Sequence, residues 1–249
     1  MAQQLAMVID ATKCIDCKGC VAACKVANNV PEGQWRNWIK QDEGTPTPGA
    51  LPTAKTRFQP GACMHCENPT CVDACPTGAT FKDRETGAVV IDETLCIGCG
   101  NCIPACPYNA RFRNETKRKA DKCDYCPERR AQGLLPACVD TCPTKARVFG
   151  DINDPHSEAG RLYHKNKDAL TRVVAKTDTK PNMFYLGDPG LKDWAGEAVV
   201  PASMIAMQQS APLIKTVVGL SGLGVLVMLG RQLLTGSDDS DAHKEDTDA

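Results

Sequence analysis

Two uninterrupted apolar runs stand out in an otherwise polar chain. Residues 5–9, Leu-Ala-Met-Val-Ile, and residues 88–91, Ala-Val-Val-Ile, predict short strands. Residues 20–28 and 70–75 suit a helical turn or two each. Pro31, Pro46, Pro48, Pro52 and Pro60 make the stretch before Cys63 read as a loop-rich insertion. From residue 144 to 207 the pattern is polar and irregular. It predicts a wrap around the preceding domain or a contact surface for partners. Residues 216–230 then carry no charge, and the wider stretch 213–234 would span about 33 Å as a helix. Lys215 and Arg231 sit near its ends, where long side chains reach lipid headgroups. Gly219, Ser221, Gly222, Gly224 and Gly230 would weaken a soluble helix but let a neighbouring helix pack closely in a bilayer. A single membrane helix is the expectation. A buried soluble helix is the alternative, because the uncharged core is shorter than the usual ~20 residues.

Composition changes the picture at one point. The chain has 16 cysteines in 249 residues, with only 5% aromatic residues and a mean hydropathy of −0.30. So thin an apolar supply needs disulfides or metals to complete a fold. The cysteines form four groups: Cys14, Cys17, Cys20 and Cys24; Cys63, Cys66, Cys71 and Cys75; Cys96, Cys99, Cys102 and Cys106; Cys123, Cys126, Cys138 and Cys142. Each group opens with C-x2-C and closes with x3-C, and Pro76, Pro107 and Pro143 follow the last three. A short module is thus repeated four times. Groups one and three have the spacing C-x2-C-x2-C-x3-C. Group two has x4 in its second gap, and group four has residues 127–137 inserted there.

That spacing wraps a short loop around one face of a cubane, with three sulfurs and several backbone N–H groups pointing inward. The fourth ligand comes from elsewhere. Four [4Fe–4S] clusters are therefore the expected cofactors, with the sixteen cysteines as iron ligands. Disulfides would need an oxidising compartment. Structural zinc pairs two C-x2-C hooks over a longer gap, which fits group four alone. Covalent haem in its usual form needs C-x-x-C-His, which is missing.

Several longer runs carry a resemblance. They are Cys63-Met-His-Cys-Glu-Asn-Pro-Thr-Cys71, Cys96-Ile-Gly-Cys-Gly-Asn-Cys102 and Asp121-Lys-Cys-Asp-Tyr-Cys126, with Pro136-Ala-Cys-Val-Asp-Thr-Cys-Pro143, Ala146-Arg-Val-Phe-Gly-Asp151 and Lys180-Pro-Asn-Met-Phe-Tyr185. Over roughly residues 5–190 the chain resembles the four-cluster iron–sulfur subunits of membrane oxidoreductases related to dimethyl sulfoxide reductase. Polysulfide reductase, hydrogenase and formate dehydrogenase beta subunits, and the menaquinone reductase complex carry similar subunits. The resemblance implies an α+β fold of tandem pseudo-symmetric double-cluster ferredoxin-like modules, with short strands and helices, plus one C-terminal helix, expected to be transmembrane. Groups one and four would interleave, as would groups two and three. Carried over, cluster 1 takes Cys14, Cys17, Cys20 and Cys142, and cluster 2 takes Cys24, Cys123, Cys126 and Cys138. Cluster 3 takes Cys63, Cys66, Cys71 and Cys106, and cluster 4 takes Cys75, Cys96, Cys99 and Cys102. Lys25 stands where other groups have Pro, a departure common in such subunits.

The organisation expected is a four-cluster domain over 1–150, an irregular wrap over 151–211, a membrane helix over 212–234 and an acidic disordered tail over 235–249. The implied role is an electron relay, itself non-catalytic. Its expected partners are a molybdopterin-family-like or cytochrome subunit, an integral membrane quinone-binding subunit, and the lipid bilayer through the C-terminal helix. A soluble polyferredoxin electron carrier, or a subunit of a cytoplasmic oxidoreductase, is the alternative.

Charge adds little. Net charge is −1, and residues 238–249 hold six acids against one Lys, leaving 28 bases and 24 acids elsewhere. That balance gives no reason to expect nucleic acid. Residues 1–10 show neither a basic n-region nor an apolar h-region, which predicts cluster assembly in the cytoplasm. The resemblance then implies export with a signal-bearing partner, to the periplasmic face of a bacterial inner membrane. His65, between two ligands, reads first as a surface-loop residue and second as a tuner of a cluster. Trp35 and Trp38 suit either a partner surface or the core. Lys117, Arg118, Lys119 and Lys122 read as a solvated basic face, or else as a docking patch or a support for a reduced cluster. No P-loop, dinucleotide fingerprint or Ser/His/Asp arrangement is present.

Overall fold

One strand with two different faces organises the chain. The computed structural model describes residues 3–42 and 56–190, which fall within a single unit. The path begins with β1 (Leu5–Asp10), followed by a 3-10 turn over Ala11–Lys13, α1 (Gly19–Ala27), β2 (Asn37–Asp42) and β3 (Arg57–Ala62). Next come α2 (Thr70–Asp73), β4 (Thr80–Lys82), β5 (Val89–Ile91), β6 (Phe112–Asn114), β7 (Lys119–Asp121), α3 (Pro127–Ala131) and α4 (Ala137–Asp140). The described part closes with β8 (Arg147–Asp151), α5 (Glu158–Lys165), β9 (Leu170–Thr171) and β10 (Met183–Leu186).

The sheet order is β8-β1-β10-β9, with β1 parallel to β10 and antiparallel to β8. All six residues of β1 are buried, which explains why its sequence is a continuous apolar run rather than an alternating one. Leu5, Met7 and Ile9 point with Met183 and Tyr185 into a core that also holds Cys20, Cys63, Cys66, Cys106, Cys123 and Cys138. Ala6 and Val8 point the other way, onto Val148, Ile152, Ala159 and Phe184 beneath α5. Burying a side chain such as Ile9, which has no exposed surface, contributes about 1.5–3 kcal/mol. The sheet is thus a roof over the cysteine-bearing loops, with α5 on its outer side.

The remaining strands form three two-stranded ribbons, β2–β3, β4–β5 and β6–β7. In the first, Trp38 lies across from Gly61, where an added Cβ would come within 2.3 Å of the indole. Trp38 is therefore partly packed in the core, while Trp35 is about half exposed under the Lys25 ammonium, 4.3 Å from the ring centre. The strands expected at 5–9 and 88–91 correspond to β1 and β5. The helical turns expected at 20–28 and 70–75 correspond to α1 and α2.

The segment beyond residue 150 differs from an irregular wrap. It holds α5, β9 and β10, and β10 is an inner strand paired Met7↔Met183 through Asp10↔Leu186. The Ser157 hydroxyl starts α5 by accepting the Gly160 N–H at 2.8 Å. Residues 191–249, with the stretch 212–234 and the tail 235–249, lie outside the described residues. Among the described residues no helix is long and apolar enough to cross a membrane.

Candidate functional site

The four opening C-x2-C loops share one backbone device. The residue before the second cysteine has a positive φ in every case: Asp16 (55°), His65 (43°), Gly98 (69°) and Tyr125 (62°). Alternating αR and αL residues aim successive N–H groups into one concavity, the arrangement that binds anions and iron–sulfur centres. At Gly98 glycine is required, because a Cβ would meet the Arg118 carbonyl oxygen at 2.0 Å. The C-Pro segments are also alike. Gly78 N, Asn109 N and Lys145 N donate back to the carbonyls of Cys75, Cys106 and Cys142, and all three residues again have positive φ.

These loops bring the cysteines together in three cavities. Cys14, Cys17, Cys20 and Cys142 line one. Cys24, Cys123, Cys126 and Cys138 line another. Cys63, Cys66, Cys71 and Cys106 line a third. In the fourth set, Cys96 and Cys99 act electrostatically on Cys102. Cys75 lies just beyond α2, and its sulfur accepts the Thr80 N–H at 3.4 Å. The Thr80 hydroxyl accepts from Arg111 at 3.2 Å, and the Arg111 charge acts on Cys102.

Exposure divides the sets. All eight cysteines of the second and third cavities are buried. In the first cavity Cys17 is exposed and Cys14 half-buried, and in the fourth set Cys75, Cys96 and Cys99 are half-buried. Ile15 and Ile97, each following the first cysteine of an outer loop, are 61% and 68% exposed.

The chemistry of the donor set demands a cation. Burial pushes the Cys24 and Cys66 thiols up to about 12 and Cys71 to about 11, with neighbouring sulfurs adding to the shift in each case. Four thiolates in so dry a space need a positive core to hold them deprotonated. Hydrogen bonds to sulfur are already in place. Thr179 Oγ1 lies 3.0 Å from Cys66 Sγ and 3.2 Å from the Tyr108 hydroxyl, so its one proton can serve the sulfur while a lone pair serves the tyrosine. Asn28 Nδ2 lies 3.6 Å from Cys24 Sγ and 3.7 Å from Cys126 Sγ.

Three arginines are buried among these sulfurs. Arg36 is paired with Asp121 at 2.7 Å and Asp124 at 3.0 Å. Among the described residues, Arg147 and Arg111 pair with no carboxylate. All three Arg147 side-chain nitrogens, and Nε and Nη2 of Arg111, have no oxygen or nitrogen partner there, and the guanidiniums face Cys20 and Cys102 respectively. Burial disfavours the charge of both, yet both stay above the ordinary arginine range because of nearby thiolates: Cys138 and Cys20 for Arg147, Cys71 and Cys102 for Arg111. A buried cation left unpaired is costly. The cavities beside it therefore suit an anionic group, and an iron–sulfur cluster held by four thiolates is one.

Some residues sit differently from the sequence expectation. His65 is fully buried rather than on a surface loop. Its Nδ1 accepts the Val89 N–H at 3.0 Å, and its ring stacks on Tyr125 with centroids 3.7 Å apart. The reason is that the Cys63–Cys66 loop faces the Cys123–Cys126 loop, not solvent. Burial keeps the imidazole neutral, its pKa well below the ordinary value. The basic run is divided as well. Lys117 and Lys119 hold Glu93, by its carboxylate and its carbonyl respectively, while Lys122 is buried and donates to the carbonyls of Val89 and Cys123. Arg147, Arg111, Thr179 and Asn28 were not foreseen. The two arginines do carry a sequence signal, since each ends the run C-P-x-x-A-R, at 106–111 and 142–147. Thr179 is 113 residues from Cys66 and carries none.

Comparison with known proteins matches this geometry. The 4Fe-4S dicluster domain matches twice, over residues 13–79 and 54–152. The chain is 43% identical over 182 residues to a tetrathionate reductase subunit of Salmonella typhimurium, covering 73% of this chain and 72% of that protein. It is 33% identical over 238 residues to the arsenate respiratory reductase iron–sulfur subunit ArrB of a Shewanella species, covering 76% and 98%. It is 43% identical over 157 residues to the thiosulfate reductase electron transfer subunit PhsB of Salmonella typhi, covering 62% and 79%. The chain belongs to the 4Fe-4S dicluster family of electron-transferring iron–sulfur subunits of oxidoreductase complexes, and its sixteen cysteines serve four [4Fe–4S] clusters.

Proposed function

We propose that the chain relays electrons between a catalytic partner and a membrane partner, entering and leaving at the two outer sites. The observation that carries this reading is the division of exposure: eight buried ligands lie in the two inner sets, and every half-buried or exposed ligand lies in the two outer sets. The ligand sets follow the interleaving described above: Cys14, Cys17, Cys20 with Cys142; Cys24 with Cys123, Cys126, Cys138; Cys63, Cys66, Cys71 with Cys106; Cys75 with Cys96, Cys99, Cys102. A [4Fe–4S] cluster supplies a reversible one-electron couple, whose potential depends on charge, hydrogen bonds to sulfur and exposure. The protein's own work is to hold thiolates in place, aim N–H groups at them and keep water away from the inner sites.

The relatives named for tetrathionate, arsenate and thiosulfate reductases support a molybdopterin-family-like or cytochrome partner on one side. A quinone-binding membrane subunit on the other side is part of the same reading. So is anchoring of residues 212–234 in a bilayer, with the cluster domain on the periplasmic face of a bacterial inner membrane. Iron and acid-labile sulfide assays on anaerobically purified protein test the cofactors, with about sixteen irons per chain expected. Cys138→Ser and Cys142→Ser should then disturb different clusters in the EPR spectrum. Disturbance of the same cluster by both would overturn the interleaving. Protection of the domain from protease in intact spheroplasts would overturn its side of the membrane.

A further inference from the structure

Arg147 and Arg111 occupy matching places in the two halves of the fold. Each closes a C-P-x-x-A-R run, each is almost fully buried (2% and 4% exposed), and among the described residues neither has a carboxylate partner. Arg147 lines the first cavity, and its charge also reaches Cys24 and Cys138 of the second set. Arg111 lines the third cavity, and its charge also reaches Cys102 of the fourth set. Each guanidinium therefore lies within electrostatic reach of two cysteine sets, Arg147 in one module and Arg111 in the other. Arg36 provides a control within the same molecule. It too is buried, at 7% exposed, but two aspartates neutralise it.

We propose that Arg147 and Arg111 are the internal countercharges of the two modules, each shared by two clusters. The proposal rests on the ligand sets given above. A cluster held by four thiolates is anionic and gains a further negative charge on reduction, so a fixed cation beside it stabilises the reduced state and raises the potential. The same fixed cation raises the potentials of both neighbouring clusters together. Arg147 performs this role for clusters 1 and 2, and Arg111 for clusters 3 and 4. Because a guanidinium stays charged at every working pH, the effect does not vary with pH.

The test is an EPR-monitored redox titration of the whole protein carrying Arg147→Gln, Arg147→Lys, Arg111→Gln or Arg111→Lys, with iron and sulfide measured on each. Each Gln variant should lower the midpoints of one pair by at least tenfold in the reduction equilibrium, about 59 mV for one electron. It should leave the other pair in place. The Lys variants should keep most of the wild-type potentials. Full iron content with unmoved midpoints overturns the proposal. If a Gln variant loses iron, its Lys counterpart decides: four clusters at near-normal potentials support a charge requirement, and loss of clusters there too overturns it. Cys20→Ser, Cys138→Ser, Cys106→Ser and Cys102→Ser assign the signals independently. Shifts that fall on a different pair from the one so marked refute the ligand sets, while leaving a countercharge role in place.

Discussion

The inner and outer cysteine sets are made from the same loop but sit in opposite surroundings. The inner loops carry His65 and Tyr125 before their second cysteines, and these rings stack on each other beneath β1 and β10. The outer loops carry Ile15 and Ile97 after their first cysteines, and both point outward. The same backbone turn therefore closes a dry interior in one case and presents an apolar tip in the other. What the loop faces, another cysteine loop or solvent, decides which. The inner pair is enclosed by the fold, and the outer pair reaches the surface.

The strongest way to break this comparison is to remove ligands from each kind of site. Cys123→Ser should abolish one inner cluster, about four irons per chain, and destabilise the whole unit, because it leaves buried thiolates uncompensated. Cys17→Ser should lower the thermal midpoint far less. Calorimetry and iron assays on both variants check this, and equal losses would erase the distinction. Ile9→Ala comes next. It opens a hole in the roof over the inner sites and should cost about 2–5 kcal/mol in chemical denaturation, with the inner clusters lost first on heating.

Thr179→Val sharpens the comparison within the inner pair. Loss of the bond to Cys66 should lower one inner midpoint and cost about 0.5–1.5 kcal/mol, leaving the outer midpoints unmoved. The smallest effect on stability belongs to Ile97→Asp. It should change stability by no more than about 0.5 kcal/mol while slowing electron exchange with the partner at that end. Stopped-flow reduction of the assembled complex measures the second quantity.

The cysteine groups, β1 and α1 are readable in the sequence because each is local: a spacing, an apolar run, a helical stretch. The cysteines that the resemblance groups into its first three sets each line one cavity. What stayed hidden depends on distance along the chain. β10 is four residues long, and its partner β1 lies about 176 positions away, so nothing near Met183 marks it as an inner strand. His65 looks like a loop residue because the loop opposite it comes from residues 123–126. Arg147 was hidden differently. A buried guanidinium reads from sequence as an ordinary surface base until its neighbours turn out to be sulfur.

The pairing of β1 with β10 also sets an order of manufacture. A ribosome adding about 5–20 residues per second releases Cys14, Cys17 and Cys20 long before Cys142, about 120 positions later. The sets drawn from residues 63–106 can be completed while the others still wait. The roof strand arrives last, after every cysteine has been made. The growing chain therefore cannot complete this roof until residue 186 emerges.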